Sequence, residues 1–300
     1  MNAEPFIAGV ELGGTKCIAT IARGRTIVRQ ARWATAGPDT LDRIADALQD
    51  WRSDCSFAAI GVASFGPIGL NANRPSFGKI GNTPKPGWAG VDVHGYFETR
   101  FSMPIGLDTD VGGAALAEWR WGASVGCAVH GYATIGTGVG LGLVVDGKAL
   151  HGHLHPEAGH MRIRRSSIED YAGACPTHGD CLEGLVGGPA LANRAGRPLA
   201  DVPDDDPLWT CVSNELAEWS AMLILSLSLE RLVMGGGLLD ARPALLAGIR
   251  SRTSELLNGY LDDLDADELA ALIVPPALGR DAGPLGSIYL GERALTIGKA

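Results

Sequence analysis

The sequence predicts an α/β protein built from one architecture used twice. Short apolar runs end again and again in glycine-containing turns, the punctuation of strands entering tight turns. Amphipathic segments with helical spacing lie between them. The arrangement strand, Gly/Thr turn, strand, Gly-containing turn occurs at residues 6–25 and again at 130–147. Two glycine turns facing one cleft would suit a polyphosphate, because glycine lets the backbone approach an anion closely.

Phe6–Leu12 reads as a buried strand, Gly13-Gly14-Thr15-Lys16 as a turn, and Cys17–Ala22 as a second strand. Arg23-Gly24-Arg25 then turns into Thr26–Thr35, which completes an antiparallel meander. Pro38–Asp50 carries Leu41, Ile44, Ala45 and Leu48, the stripe of an amphipathic helix. Phe57–Ser64 is a buried strand closed by Phe65-Gly66-Pro67, and residues 66–104, rich in Pro and Gly, predict an extended loop over a cleft. Ile105–Leu107 is a short strand ending in Asp108-Thr109-Asp110, with a helix over Val111–Trp121. His130–Ile135 and Val139–Val145 flank the turn Gly136-Thr137-Gly138, and Asp146-Gly147 makes a hairpin turn. Leu208–Val233 reads as strongly helical, with Val233-Met234 running as a strand into Gly235-Gly236-Gly237; Gly283–Ala300 predicts a terminal helix. Three hundred residues suggest two domains at roughly 150 residues each. We divide them as an N-terminal lobe over 1–115, on which a helix at about 284–300 packs back, and a C-terminal lobe over 116–283.

The net charge of −9 and the absence of a basic block exclude a nucleic-acid footprint. No apolar stretch reaches the roughly 18 residues of a membrane span. Met1 leads into Phe6–Val10 with no basic leader, so a cytoplasmic location is expected. Cys17, Cys55, Cys127 and Cys211 fall in apolar or strand-like contexts and read as small buried side chains, kept reduced in a cytosolic chain.

Chemistry concentrates in five motifs. Gly9-Val10-Glu11-Leu12-Gly13-Gly14-Thr15-Lys16 is a strand running into a phosphate-cradling turn, though its order is not that of a Walker A loop; a plain hairpin turn is the competing reading. Ile135-Gly136-Thr137-Gly138-Val139-Gly140 joins two strands rather than opening a helix, which disfavours a dinucleotide fold. Val233–Gly237 supplies a third glycine turn. Leu107-Asp108-Thr109-Asp110-Val111 places a carboxylate at a strand end before a helix, where it could take a proton from a sugar hydroxyl as that oxygen attacks phosphorus; a helix N-cap is the alternative. Finally, Cys175-Pro176-Thr177-His178-Gly179-Asp180-Cys181 with upstream His160 offers the two thiolates and two imidazoles of a closed tetrahedral zinc site. His151, His153 and His155 are spare ligands in that reading.

Together these motifs make the chain resemble the ROK family (repressors, open reading frames, kinases) over roughly residues 6–290. Glu11, Ala63–Ile68, Thr83-Pro84-Lys85-Pro86-Gly87-Trp88, Asp108–Val111 and Cys-Pro-x-His-Gly-Asp-Cys-Leu-Glu-Gly resemble its fructokinase branch. The resemblance implies the actin-like and hexokinase-like duplicated ATPase fold, two lobes about a central cleft, and ATP-dependent phosphorylation of a hexose, D-fructose above all. It implies Asp110 as catalytic base and sugar contact, with Glu157 and His160 of Glu-x-Gly-His also on the sugar. It implies Gly13, Gly14, Thr15, Lys16, Thr137 and Gly138 at the ATP phosphates and Gly235 and Gly236 by the adenosine. Mg²⁺ would bridge the β and γ phosphates, Zn²⁺ would sit on His160, Cys175, His178 and Cys181, and the protein would be a homodimer. Gly112-Gly113 stands where relatives often carry Asn-Ala, and two glycines weaken a helix start. The competing readings are a kinase for glucose, mannose or an amino sugar, a non-catalytic sugar sensor, and a DNA-binding repressor. The last is disfavoured by the acidic chain and by a first strand that begins near residue 6.

Overall fold

The structure is a computed structural model that describes residues 4–165 and 171–297. The chain begins β1 (Phe6–Leu12), β2 (Lys16–Arg23), β3 (Thr26–Ala34), α1 (Thr40–Arg52), β4 (Phe57–Ser64), α2 (Val93–Phe101), β5 (Ile105–Thr109) and α3 (Asp110–Trp121). Then come β6 (Val129–Ile135), β7 (Val139–Val145), β8 (Lys148–Ala149), α4 (Leu182–Val186), α5 (Gly188–Ala195) and α6 (Pro207–Leu227). It closes with β9 (Arg231–Gly235), α7 (Gly237–Ala241), α8 (Leu245–Leu257), α9 (Ala266–Leu272), β10 (Ile273–Val274) and α10 (Ala282–Ile297). Two compact units result: Met1–Gly122 with Gly147–His155 and Leu278–Ala300, and Ala123–Asp146 with Pro156–Ala277.

In the first unit the strand order is β3-β2-β1-β4-β5. β1, β2 and β3 form the antiparallel meander, while β4 and β5 join β1 in parallel. One face is covered by α1, which buries Leu41, Ile44, Ala45 and Leu48. α10 lies directly on β1, β4 and β5. That approach is possible because two strand positions lack a side chain: a Cβ at Gly61 would fall 1.8 Å from the Ser287 carbonyl oxygen, and one at Gly106 would fall 2.1 Å from that of Leu290.

In the second unit the strands run β10-β9-β6-β7, with β6 antiparallel to β7 and parallel to β9. Each unit thus carries an antiparallel hairpin whose first strand has a parallel neighbour, β1/β2 with β4 and β6/β7 with β9. The duplication visible in the sequence is therefore real, and in each hairpin the turn holds the glycine motif. The helix α6 buries Trp219, Leu216 and Val212 in this unit's core and packs on α8. Asp146 and Gly147 both have positive φ, 48° and 71°, the signature of the hairpin turn that Asp-Gly predicts.

Three expectations need correction. Residues 66–104 are not loop throughout, because Val93–Phe101 is helical. Asp92 caps it by accepting from Gly95 N–H, and Val93, Phe97 and Phe101 bury one stripe, a signal hidden by the surrounding Pro and Gly. The helix read over Leu208–Val233 stops at Leu227, where Ser228 turns left-handed with φ 50°, and Arg231–Gly235 becomes a central strand. A continuous apolar run looks alike as buried helix or buried strand. Cys55 and Cys127 are only partly buried, whereas Cys17 and Cys211 are in the interior. No helix among the described residues is long and apolar enough to cross a membrane.

Candidate active site

In the first unit the turn after β1 lies at the same sheet end as the C-termini of the parallel strands β4 and β5. Gly13 N–H donates to Lys16 O at 3.0 Å and closes the turn, and a Cβ on Gly13 would lie 2.9 Å from that same oxygen. Thr35, just past β3, fastens it from outside: its N–H donates to Thr15 O (3.0 Å) and its hydroxyl to Gly13 O (2.8 Å). Gly14, Thr15 and Lys16 are exposed.

Asp110 is the first residue of α3, and its cap is Thr109, whose hydroxyl accepts from Gly112 N–H at 2.9 Å. The N-cap alternative for Asp110 is thereby excluded, and its carboxylate accepts the adjacent Val111 N–H at 2.9 Å. Burial pushes the Asp110 carboxyl up to about 6; Asp108 adds to this, while the Val111 N–H and the charge of Lys85 oppose it. Glu11, at the end of β1, is pushed up to about 7, first by burial and then by the charge of Asp110. One of its oxygens is buried without a hydrogen-bond partner. Ionised Asp110 thus disfavours the charged form of Glu11. The neighbouring Asp108 is tied down: it accepts from Thr109 N–H at 2.7 Å and faces His151 Nε2 at 3.1 Å, a bond that raises the histidine. The glycines at 112 and 113 do not abolish the helix start. A Cβ at 112 would fall 2.3 Å from Asp108 Oδ1, so glycine there lets that carboxylate fold back over the cap.

In the second unit, Gly136 directly follows β6 and Gly235 ends its parallel neighbour β9, so their glycine turns share one sheet end. Gly136 N–H donates to Gly138 O at 2.9 Å, and Gly188 N–H, opening α5, donates to Gly136 O at 2.8 Å. Gly236, at φ 97°, sits so close to Ile135 that a Cβ would fall 2.5 Å from its carbonyl oxygen. Thr137 is exposed.

Glu157–His160 is held from two sides. A Cβ at Gly159 would fall 1.9 Å from Val139 O, so the segment rests directly on β7, and Trp219 Nε1 donates to Ala158 O at 3.1 Å. Glu157 is exposed. His160 turns toward Cys175, His178 and Cys181, and one ligand atom from each of the four lies within 4.8 Å of the others. His160 Nδ1 stands 3.7 Å from Cys175 Sγ and 3.5 Å from Cys181 Sγ, and His178 Nδ1 stands 3.8 Å from Cys175 Sγ. A tetrahedral ion with zinc's usual bond lengths would set N and S ligands about 3.6 Å apart. The hairpin supports this shape: Cys175 and Gly179 exchange backbone hydrogen bonds, and His178 N–H points to Cys175 Sγ at 3.5 Å. Burial, with Cys175 beside it, pushes the Cys181 thiol up to about 11, the situation a bound cation reverses. The spare histidines lie elsewhere: His151 on Asp108, and His155 Nε2 accepting from Ile68 N–H at 3.2 Å.

The sequence reading missed Glu183. One carboxylate oxygen accepts from Val139 N–H at 3.0 Å and the other lies 4.0 Å from His160 Nε2, so this acid links the His/Cys cluster to the strand leaving the second glycine turn. Its only signal was an acid two residues past the last cysteine of the motif.

The sequence pattern of the ROK family matches residues 7–294. A fructokinase of Zymomonas mobilis is 40% identical over 302 residues, covering 98% of both chains. A putative fructokinase of Bacillus subtilis is 36% identical over 293 residues, covering 97% of this chain and 96% of its own. Among solved structures, the ROK hexokinase of Thermus thermophilus superposes with a TM-score of 0.76 at 24% identity, covering 98% of this chain and 100% of that one. A ROK family glucokinase of Streptomyces griseus, solved with glucose and AMPPNP, gives 0.73 at 22% identity, covering 96% and 99%. The two mixed sheets with their helices are the actin-like, hexokinase-like α/β fold of these structures. Matched over nearly its whole length by the family pattern and by relatives above 30% identity, the chain belongs to the ROK family.

Proposed function

We propose that this protein is an ATP-dependent hexose kinase that converts D-fructose to fructose 6-phosphate. The observation that carries the reading is Asp110: a carboxyl with proton affinity raised to about 6, at the end of β5, on the sheet end that also holds the glycine turn of β1. Full-length likeness to proteins named fructokinase supports fructose as the sugar.

In this reading the Asp110 carboxylate accepts the proton of the sugar O6 hydroxyl as that oxygen attacks the γ-phosphorus. The new O–P bond forms, the bond to the β-phosphate oxygen breaks, and ADP leaves. Gly13, Gly14, Thr15, Lys16, Thr137 and Gly138 hold phosphate oxygens. Gly235 and Gly236 take the adenosine. Glu157 and His160 bind sugar hydroxyls. Mg²⁺, when bound with ATP, neutralises charge developing on the phosphates. Zn²⁺ on His160, Cys175, His178 and Cys181 does no chemistry. It fixes the segment that carries Glu157 and His160, and the matching N and S spacings support it. A homodimer and a cytoplasmic location belong to the same reading, the first to be decided by light scattering.

The test is ADP release coupled to a dehydrogenase across D-fructose, D-glucose, D-mannose and amino sugars. Asp110→Asn should cut kcat by roughly 10²–10⁴-fold while calorimetry still detects sugar binding. Near-normal turnover in that variant would refute the role of Asp110. Sugar binding with no ADP release from any hexose would make the protein a sensor, and preference for another hexose would correct the substrate.

A further inference from the structure

Lys85 stands in the loop between β4 and α2, and no role above uses it. Its Nζ donates to Gly14 O at 2.8 Å, and its ammonium lies 4.8 Å from the centre of the Phe65 ring. Both ends of the arrangement are anchored. Phe65 N–H donates to Leu12 O at 2.7 Å, so the ring is fastened to the end of β1. Phe65 also packs edge-on to the fully buried Trp88, with centroids 5.2 Å apart, and Trp88 N–H donates to Lys85 O. The lysine is thus delivered to the glycine turn by a packed aromatic pair.

The peptide geometry gives this contact a consequence. In a trans peptide the carbonyl of one residue and the N–H of the next point to opposite sides of one rigid plane. A donor that holds a carbonyl therefore aims the following N–H. Thr35 holds the carbonyls of Gly13 and Thr15. The carbonyl between them belongs to Gly14, which has no side chain to restrict its backbone, and Lys85 is its hydrogen-bond donor. We propose that Lys85 is a positioning residue for phosphoryl transfer: by holding the Gly14 carbonyl it sets the Gly14–Thr15 peptide so that the Thr15 N–H faces the nucleotide phosphates. This rests on the turn being the phosphate cradle, as read above.

The charge of Lys85 has a second effect within the same unit. Asp110 feels Asp108, which is bonded to His151, as a like charge, and Lys85 is the cation that opposes it at Asp110. Lys16 and Arg32 act on Glu11 instead. Removing Lys85 should therefore raise the pH at which activity falls on the acid side.

The experiment compares Lys85→Met, which keeps the aliphatic stem against Phe65 but loses donor and charge, with Lys85→Arg, Lys85→Gln and Gly14→Val. For Lys85→Met and Lys85→Gln the dissociation constant of a non-hydrolysable ATP analogue should rise about tenfold, the loss of one charged, oriented hydrogen bond. Adenosine binding, the KM for sugar and the melting temperature should stay at wild-type values. The acid limb of kcat/KM should move to higher pH, and Lys85→Arg should restore both properties. Wild-type analogue affinity in Lys85→Met alongside weakened binding in Gly14→Val overturns the role of Lys85 and leaves the cradle standing. Unchanged affinity in Gly14→Val overturns the cradle itself. A parallel loss of sugar, adenosine and thermal stability in the Lys85 variants shows a structural side chain and also overturns the proposal.

Discussion

His130 sits in the middle of the second unit's sheet, on β6, across from Val144 of β7 and Arg231 of β9. It is fully buried, and neither ring nitrogen has a hydrogen-bond partner of good geometry among the described residues. Burial depresses its pKa from 6.5 to about 4, opposed only by the backbone at Gly131. In the unfolded chain the same imidazole binds a proton below its ordinary value. Between these limits the unfolded state holds more protons than the folded one, so stability falls as pH drops from about 6.5 toward about 4. The gap of 6.5 − 4, or 2.5 units, corresponds to about 3 kcal/mol at about 1.4 kcal/mol per unit. Most of it, about 2 kcal/mol, should already be lost at about pH 5. Urea unfolding of wild type and His130→Leu, followed by tryptophan fluorescence at about pH 7.5 and about pH 5, reads the effect directly. Wild type should lose about 2 kcal/mol more than the variant on acidification, and the variant should match or exceed wild type near neutrality because two unpartnered polar atoms are gone. Equal losses in the two proteins would refute the reasoning.

Two further predictions concern the chemistry. As the proposed base Asp110 must be a carboxylate, and with its carboxyl raised to about 6 by burial, kcat/KM should fall as pH drops through that value. A pH profile flat to well below 6 would remove Asp110 as the base. Dialysis against a strong chelator should release about one zinc per chain by elemental analysis and lower the melting temperature, and Cys181→Ser should purify with little zinc. A chelated protein that melts like the untreated one would show that the His160–Cys181 cluster holds no structural ion.

Much of the candidate site could be read directly from residues 6–181 because each piece is local. A strand that runs into Gly13-Gly14-Thr15, or an Asp at the end of Ile105–Leu107, announces itself by residue type and immediate neighbours. The Cys175–Cys181 loop does so by ligand spacing. What escaped was set by partners far away in sequence. Glu183 gains meaning only from Val139 and His160, forty-four and twenty-three residues back along the chain. Lys85 gains it only from Gly14, and His151 only from Asp108.

The sequence by itself determined the class of fold, both glycine hairpins, the acid at residue 110 and the four His and Cys side chains of the candidate metal cluster, because periodicity, turn chemistry and ligand type are written within a few residues. The tertiary structure decided where α6 ends and β9 begins, since an apolar run is buried equally well as helix or strand. It also decided that Gly61 and Gly106 make room for α10, that the charges of Glu11 and Asp110 share one environment, and which carbonyl Lys85 holds. Those outcomes depend on which distant surfaces meet, and a pairing across tens or hundreds of residues leaves no mark in local spacing.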